Sequence, residues 1–163
     1  MLIVVSDTSP FRCFAHLQRL DVLAALFDEL IVPPAVVHEL MNPPSGQPAV
    51  DISTLTYARI VAPFDTQKVA ELCRILHPGE SEAIVIALEL GNLRLLIDDA
   101  DGRIEAQRLG LSVIGVLGLL RAAKERGLIP AIRPVLDELI RGLGFYIAEN
   151  LRSRLLRDVG EQI

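Results

Sequence analysis

The sequence predicts an α/β fold, a doubly wound sheet with right-handed crossovers. Short β-branched segments alternate with helical apolar patterns up to about residue 115, and short connections join them. The composition is 51% hydrophobic but only 4% aromatic, so the core must consist mainly of Leu, Ile, Val and Ala. Such a core suits helices packed on a buried parallel sheet. We expect a single domain over residues 1–163, with a mainly helical C-terminal part from about residue 116.

The first half of the chain alternates strands and helices from its N-terminus. Asp7 to Pro10 supply turn and capping residues between the first strand and a helix, and Pro34 suits the first turn of another helix. Residues 42–48, rich in proline, predict an exposed loop. The predicted elements are a strand at 2–6, a helix from Phe11, a helix at about 21–27, a strand at 30–32 and a helix at 34–41.

The second half continues the alternation and then becomes helical. His77-Pro78-Gly79 separates two helical patterns, and the second of these is so apolar that it should be buried on most sides. The predicted elements are a strand at about 59–62, helices at 66–76 and 79–90, a strand at 93–97, a helix through Ala106 and Leu109, and a strand at 111–115. Glycine and proline predict breaks in the C-terminal helices at 127–130 and 142–144.

Charge, cysteines and hydropathy restrict the classes of protein. The net charge is -5, and the acidic excess lies in residues 1–99, whereas residues 100–163 are slightly basic. Cys13 and Cys73 lie in apolar stretches without CxxC spacing, which predicts buried free thiols and no disulfide framework. No leader-like segment and no apolar run long enough for a bilayer is present, so we expect a cytoplasmic protein without a membrane partner.

Acidic residues follow the predicted strands. Asp7 and Asp99 each come directly after an apolar strand, and Glu39 lies on the helix that follows the next strand. Glu82 lies in the first turn of the helix beginning near Gly79. Because ligands bind beyond the carboxyl ends of parallel strands, these four carboxylates can converge. Each also has an ordinary alternative role, as a helix cap, a turn former or a complement to a helix dipole.

A cluster of carboxylates predicts a hard cation. Neighbouring carboxylates raise one another's pKa values unless a cation neutralises them. Ligand sets of oxygen atoms select Mg²⁺ or Mn²⁺, and the spacing of His16, His38 and His77 disfavours zinc. Such a site, with one or two ions, can activate water for the in-line displacement of a phosphodiester without a side-chain nucleophile.

Four motifs in order resemble the PIN-domain family, especially short prokaryotic proteins related to toxin nucleases. They span most of the chain: VVSDTSP at 4–10, VPPAVVHEL at 32–40, HPGESEAIVIALELG at 77–91 and LLIDDADGRIEAQRLGLSVIGVLGLL at 95–120. The resemblance implies a three-layer α/β/α sandwich with a central, mostly parallel sheet. It also implies a metal-dependent endoribonuclease that hydrolyses single-stranded RNA and is a candidate toxin of a toxin–antitoxin pair, with a small antitoxin protein and a homodimer as expected partners.

The resemblance also implies roles for individual residues. The catalytic and metal-binding acids would be Asp7, Glu39, Glu82 and Asp99, with Asp101 as a candidate additional ligand. Glu80 is the rival for the third position, because both glutamates begin the same helix; Glu82 is preferred because Glu82-Ala83-Ile84 fits the family's helix start. Thr8, Ser9 and Asp98 would support the acids.

Residues near the acids suggest how RNA would be held, and other folds compete with this interpretation. Arg12, Arg103 and Arg108 flank the proposed site and are candidate contacts to the RNA backbone.

A receiver domain would need a lysine after a late strand, and a haloacid-dehalogenase-like phosphatase would need Asp-x-Asp where the chain has Asp7-Thr8-Ser9. The remaining alternative is a catalytically inactive RNA-binding or regulatory module on the same scaffold.

Overall fold

A parallel sheet of five strands forms the centre of the structure, a computed structural model that describes residues 2–91 and 93–163. Met1 and Asn92, which the single-domain prediction includes, lie outside the described residues. The strand order is β3-β2-β1-β4-β5, and all four neighbouring pairs are parallel. The strands are β1 (Ile3–Ser6), β2 (Glu29–Val32), β3 (Ala58–Ile60), β4 (Leu95–Leu96) and β5 (Val113–Ile114).

Helices alternate with these strands and then complete the chain. Within the described residues there are nine α-helices and one short 3-10 helix at Ile52–Thr54. The α-helices are α1 (Thr8–His16), α2 (Leu20–Leu26), α3 (Pro34–Met41), α4 (Thr66–Leu72), α5 (Pro78–Glu89), α6 (Ala100–Arg108), α7 (Val116–Glu125), α8 (Arg133–Leu143) and α9 (Glu149–Asp158). The predicted α/β class is confirmed, and the chain after residue 115 contains the helices α7, α8 and α9.

The sheet separates two apolar cores, which makes the architecture a three-layer sandwich. Alternating residues of a strand point to opposite faces of the sheet, and β1 illustrates this pattern. Val4 belongs to one core, with residues of α1, α2, α7 and α8, whereas Val5 belongs to the other, with residues of α5 and α6. α5 is buried along most of its length, as its apolar sequence predicts. The predicted α/β/α sandwich is therefore confirmed, and its central sheet is entirely parallel.

The strand order puts a topological switch point beside β1. The chain proceeds from β1 to β2 and β3 on one side, and then crosses to β4 and β5 on the other. The backbone N–H of Asp7 donates a hydrogen bond to the carbonyl of Leu96 at 2.9 Å, so the ends of β1 and β4 are adjacent. In open parallel sheets ligands bind at this kind of position.

Several details differ from the sequence predictions. The helix predicted at 66–76 ends at Leu72, and the strands predicted at 93–97 and 111–115 are each two residues long. α1 begins at Thr8 and not at Phe11, because the residues from Thr8 to Pro10, which were expected to form a turn, are the first turn of the helix. The 3-10 helix at Ile52–Thr54 was not predicted; the Asp51 side chain accepts a hydrogen bond from the Ser53 backbone N–H there. The prediction that both cysteines are buried is wrong for Cys73, which ends α4 and is exposed, whereas Cys13 is buried.

The C-terminal helices are connected to one another by Glu161. Its carboxylate accepts hydrogen bonds from Lys124 Nζ at 2.6 Å and from the backbone N–H groups of Ile132 and Arg133 at 2.7 and 2.8 Å.

In the described part of the chain, no helix is both long and apolar enough to cross a membrane.

Replacing this carboxylate is expected to destabilise the fold. Hydrogen bonds to charged groups contribute roughly 1.5–3 kcal/mol, so Glu161→Gln should lower the Tm by several degrees in thermal denaturation. Glu125→Gln is the matched control, since the Glu125–Arg121 pair is exposed and such pairs contribute little. Equal Tm values for the two variants would mean that Glu161 does not stabilise the C-terminal helices.

Candidate metal centre

A pocket of about 330 Å³ opens where the carboxyl end of β1 meets the N-terminal turns of α1 and α5. Most of its surface is polar, and three of its residues are carboxylic acids from separate parts of the chain. It is lined by Asp7, Thr8, Ser9, Arg12, Glu39, His77, Pro78 and Glu80. We call it the acid pocket.

Asp7 is a buried carboxylate at the start of α1. It is only 4% exposed, and it occupies the N-cap position of α1 without making a side-chain capping hydrogen bond. The ordinary capping role therefore does not account for this residue. Burial raises the pKa of Asp7 to about 7; the Thr8 backbone N–H opposes this increase, whereas the charges of Glu80, Glu39 and Asp99 add to it. Asp7 would be stabilised in its charged form by a cation.

Glu39 approaches Asp7 from α3. Thr8 Oγ1 donates a hydrogen bond to Glu39 Oε2 at 2.5 Å, so the hydroxyl orients this carboxylate. The first turn of α5 lies against both acids at Gly79. A Cβ atom at Gly79 would lie 2.8 Å from Glu39 Oε1 and 3.3 Å from Asp7 Oδ1. A side chain at Gly79 would displace the Glu39 carboxylate and crowd Val36 and Asp7, so glycine lets α5 approach both acids closely.

Glu80, and not Glu82, faces this pocket. Glu80 is 7% exposed, and its Oε2 accepts a hydrogen bond from the His77 backbone N–H at 3.1 Å. Burial raises the pKa of Glu80, as do the charges of Asp99 and Glu39. Glu82 Oε2 instead accepts a hydrogen bond from the backbone N–H of Ala35 at 2.8 Å, which caps the first turn of α3. Glu82, which the sequence favours as the third acid, therefore caps α3, whereas Glu80 lines the acid pocket.

Asp99 lies at the edge of the acid pocket, beyond the end of β4. It is exposed, and its Oδ2 accepts a hydrogen bond from the Gly102 backbone N–H at 2.9 Å as the N-cap of α6. Its charge nevertheless raises the pKa values of both Asp7 and Glu80. Of the four acids predicted from the sequence, Asp7 and Glu39 therefore line the acid pocket, whereas Asp99 acts on it only through its charge.

The other acids of the β4–α6 turn lie outside the acid pocket. Asp98 Oδ1 accepts a hydrogen bond from the Val116 backbone N–H at 3.0 Å, so Asp98 holds the start of α7. Asp101 is exposed in the first turn of α6 and is not a lining residue. Asp98 is thus close to the site in a supporting position, and the geometry gives no support to Asp101 as an additional ligand.

The three candidate arginines have different surroundings. Arg12 lines the acid pocket, and its Nη2 donates a hydrogen bond to the backbone carbonyl of Glu39 at 3.3 Å. Arg103 lies in a neighbouring groove, where its Nη1 donates to the Ile97 carbonyl at 3.1 Å. Arg108 forms an ion pair with Glu105 and lines a different pocket against α4. Of the three, only Arg12 is in the acid pocket.

The donor atoms of the acid pocket fit a hard divalent cation. Carboxylate oxygens supply the ligands, and Asp7 and Glu39 approach one point beside Gly79. Within residues 2–91 and 93–163, no three His, Cys, Asp or Glu side chains are drawn together tightly enough to enclose an ion. One oxygen of each of Glu39, Glu80 and Asp99 already accepts a hydrogen bond. Binding of an ion would therefore require these side chains to move toward it.

Sequence reasoning missed Gly79. The available signal was a glycine in the first turn of an otherwise helix-favouring, apolar segment, where it lowers helix propensity without an evident local benefit. The structure supplies the reason, which is the close approach of two carboxylates to the helix. The choice of Glu80 depends on the rotation of α5 about its axis, which the motif alone does not fix.

Comparison with known proteins identifies the family. A family model described as PIN domain matches residues 3–161, which is nearly the whole chain. No curated protein matches the sequence significantly. PIN domains form a superfamily of nucleases that generally use divalent metals, and the match extends over the β1, α3, α5 and α6 segments that carry the acids. The chain belongs to the PIN-domain family.

Proposed function

We propose that this protein is a Mg²⁺- or Mn²⁺-dependent endoribonuclease that hydrolyses phosphodiester bonds of single-stranded RNA. Asp7, Glu39, Glu80 and Asp99 are the proposed ligands of the metal. The observation that carries the proposal is the buried Asp7 carboxylate, which makes no capping hydrogen bond and has three other acids around it. A stable fold rarely buries a carboxylate among other acids unless the site has a function.

The chain's own residues would hold the ion and position the substrate. A bound Mg²⁺ or Mn²⁺ would supply an activated water at neutral pH and would neutralise charge on the phosphodiester. Thr8 keeps Glu39 oriented through its 2.5 Å hydrogen bond, and Glu82 fixes the start of α3, the helix that carries Glu39. The Arg12 guanidinium, in the same pocket, would bind a phosphate oxygen of the RNA. Asp98 would keep the β4–α6 turn in place.

RNA cleavage by the purified protein tests this proposal. We expect cleavage of a labelled single-stranded RNA with Mn²⁺ or Mg²⁺, none with EDTA, and weaker cleavage of the corresponding duplex. Single-stranded DNA of the same sequence tests the preference for RNA. Absence of metal-dependent cleavage, together with retained RNA binding, would favour the inactive RNA-binding module.

Metal binding should also stabilise the fold. A cation that binds only the folded state raises its stability, and at a hundredfold excess over Kd the gain is about 2.7 kcal/mol. We therefore expect millimolar Mn²⁺ to raise the Tm at pH 7.5 by several degrees in a thermal shift assay, and Ser53→Ala, remote from the acid pocket, to retain the effect. A Tm that Mn²⁺ leaves unchanged would contradict the proposed ligands.

The toxin role, the antitoxin partner and the homodimer stay predictions of the family resemblance. An antitoxin would have to reduce access of RNA to the acid pocket. Light scattering of the isolated protein would measure its oligomeric state, and growth arrest on expression in a bacterial host, absent in the Asp7→Asn variant, would support a toxin role.

A further inference from the structure

A second groove is connected to the acid pocket through a small pocket that has Ser9 and Arg12 in common with the acid pocket and Phe145 in common with the groove. Its volume is about 560 Å³, within the range of ligand sites, and it lies between the start of α6, β5, α7 and the segment 144–148 that joins α8 to α9. Asp98 and Ala100, the neighbours of Asp99 on either side, line one end of it. A strand of RNA whose scissile phosphate lies at the acids would therefore have this groove directly beside it.

Tyr146 lies at the rim of this groove with its ring almost fully in solvent. It is 87% exposed, whereas the other tyrosine, Tyr57, is half-buried and donates a hydrogen bond to the Leu20 carbonyl. The Tyr146 hydroxyl has no hydrogen-bond partner among the described residues. The fold thus gives Tyr146 no packing role, and its ring offers a free flat surface beside apolar groove walls from β5 and α7.

Arg103 adds a positive charge to the same groove. It lies four residues after Asp99 on α6, and its hydrogen bond to the Ile97 carbonyl holds it at the groove. Within residues 2–91 and 93–163, its guanidinium forms no ion pair shorter than 4.0 Å. Gly115 leaves room for this guanidinium and for the Asp98 carboxylate, since a Cβ atom there would lie 2.7 Å from Arg103 Nη1 and 2.5 Å from Asp98 Oδ1. Asp98 therefore offsets part of the Arg103 charge, and the Arg103 hydrogen-bond donors that remain are available to a phosphate.

We infer that this groove binds an unpaired base of the RNA strand next to the scissile phosphate, with the base stacked on Tyr146 and Arg103 beside the adjoining phosphate. The inference rests on the proposed function. Single-stranded RNA is recognised through bases that leave the strand and stack on aromatic rings or guanidinium planes. A duplex keeps its bases stacked internally, so this groove would favour single strands. The combination of a free ring, a cation and continuity with the acids favours RNA over a protein partner.

Binding of RNA can be measured apart from cleavage. The probe is a short fluorescein-labelled single-stranded RNA, and its Kd is measured by fluorescence anisotropy with Mg²⁺ in an Asp7→Asn background, which the proposed function makes inactive. Base stacking predicts that Tyr146→Ala raises the Kd about tenfold, while Tyr146→Phe keeps it within about twofold. An RNA of the same length with abasic residues has no base to stack on the tyrosine. It should therefore bind with equal Kd to the Asp7→Asn protein and to the Asp7→Asn protein that also carries Tyr146→Ala.

Phe64→Ala is the matched control. Phe64 is 95% exposed, but its backbone N–H donates to Glu89 at the C-terminal end of α5, roughly 15 Å along that helix from Gly79. We expect this variant to leave the Kd unchanged.

Three results would overturn the inference. The first is an equal Kd of the labelled RNA for the Asp7→Asn protein with and without Tyr146→Ala. The second is a loss of affinity on Tyr146→Ala that is as large for the abasic RNA as for the ordinary RNA. The third is undetectable RNA binding. A change in the oligomeric state of Tyr146→Ala with no change in Kd would instead assign the groove to a protein interface. Failure of the parent protein to cleave RNA in Mn²⁺ would contradict the proposed function, and this result is read in a separate assay.

Discussion

Asp7→Asn is expected to reduce metal-dependent RNA cleavage by more than about a hundredfold, because even residues that only support metal ligands contribute roughly 10–100-fold. The substitution keeps the size of the side chain and removes the charge that would bind the cation. The measurement is the single-turnover cleavage rate of a labelled RNA at saturating Mn²⁺. Asp51→Asn, a cap of the 3-10 helix on another surface, is the control that should keep full activity. Equal rates for Asp7→Asn and the parent would remove Asp7 from the mechanism.

The same substitution should stabilise the protein without metal. The pKa of Asp7 is raised from 3.8 to about 7 in the folded state, so folding favours the protonated form. The resulting stability is fully present below about pH 3.8 and is lost as the pH rises through about 7, to an extent on the order of 4 kcal/mol at most. Asn carries no charge and avoids this loss.

This contrast gives a measurable pH dependence. In EDTA, the Tm of the parent should fall relative to that of Asp7→Asn between pH 5 and pH 8. Glu39, Glu80 and Asp99 are present in both proteins, so the difference reports the burial of the Asp7 charge together with its repulsion by these acids. A lower Tm for Asp7→Asn at pH 8 would instead make the Asp7 carboxylate a stabilising structural group.

Glu80→Gln and Glu82→Gln are expected to differ strongly in activity. Glu80 lines the acid pocket, so its loss of charge should reduce cleavage by more than about a hundredfold. Glu82 caps α3 through the Ala35 backbone N–H, and a glutamine carbonyl can accept that hydrogen bond as well, so Glu82→Gln should keep activity within a few-fold. The measurement is the RNA cleavage rate of each variant at saturating Mn²⁺, compared with that of the parent protein.

A third variant distinguishes capping from catalysis at Glu82. Glu82→Ala leaves the Ala35 N–H without its acceptor and should lower stability by about 1 kcal/mol, as the loss of a helix cap does. Activity that is lost in Glu82→Gln and kept in Glu80→Gln would restore Glu82 as the third acid.

The sequence predicts most of the fold because its local signals agree with the tertiary structure. The helix at Pro34–Met41 has the predicted bounds, since two prolines mark its start and an Asn-Pro-Pro run follows its end. The apolar α5 is buried as expected. Cys73 was misjudged because an apolar neighbourhood in sequence does not show which side of a short helix meets solvent.

The candidate site was predicted to the level of its segments but not of every side chain. The positions of Asp7 and Asp99 after β1 and β4 could be predicted because they directly follow strand ends. Glu80 and Glu82 could not be separated, since residues two apart on a helix point about 200° from each other and only packing sets which one faces the pocket. The role of Gly79 likewise required the contact between α5 and the side chains of Asp7 and Glu39.

The separation of the acids along the chain has a consequence for biosynthesis. β1 pairs with β4 only after residue 96 has been made, and Asp99 follows that strand. A ribosome-bound chain that ends before this point therefore lacks the fourth carboxylate and one neighbour of its central strand. If the proposed chemistry is correct, the emerging polypeptide cannot cut the messenger that encodes it until more than half of its length has been translated and folded.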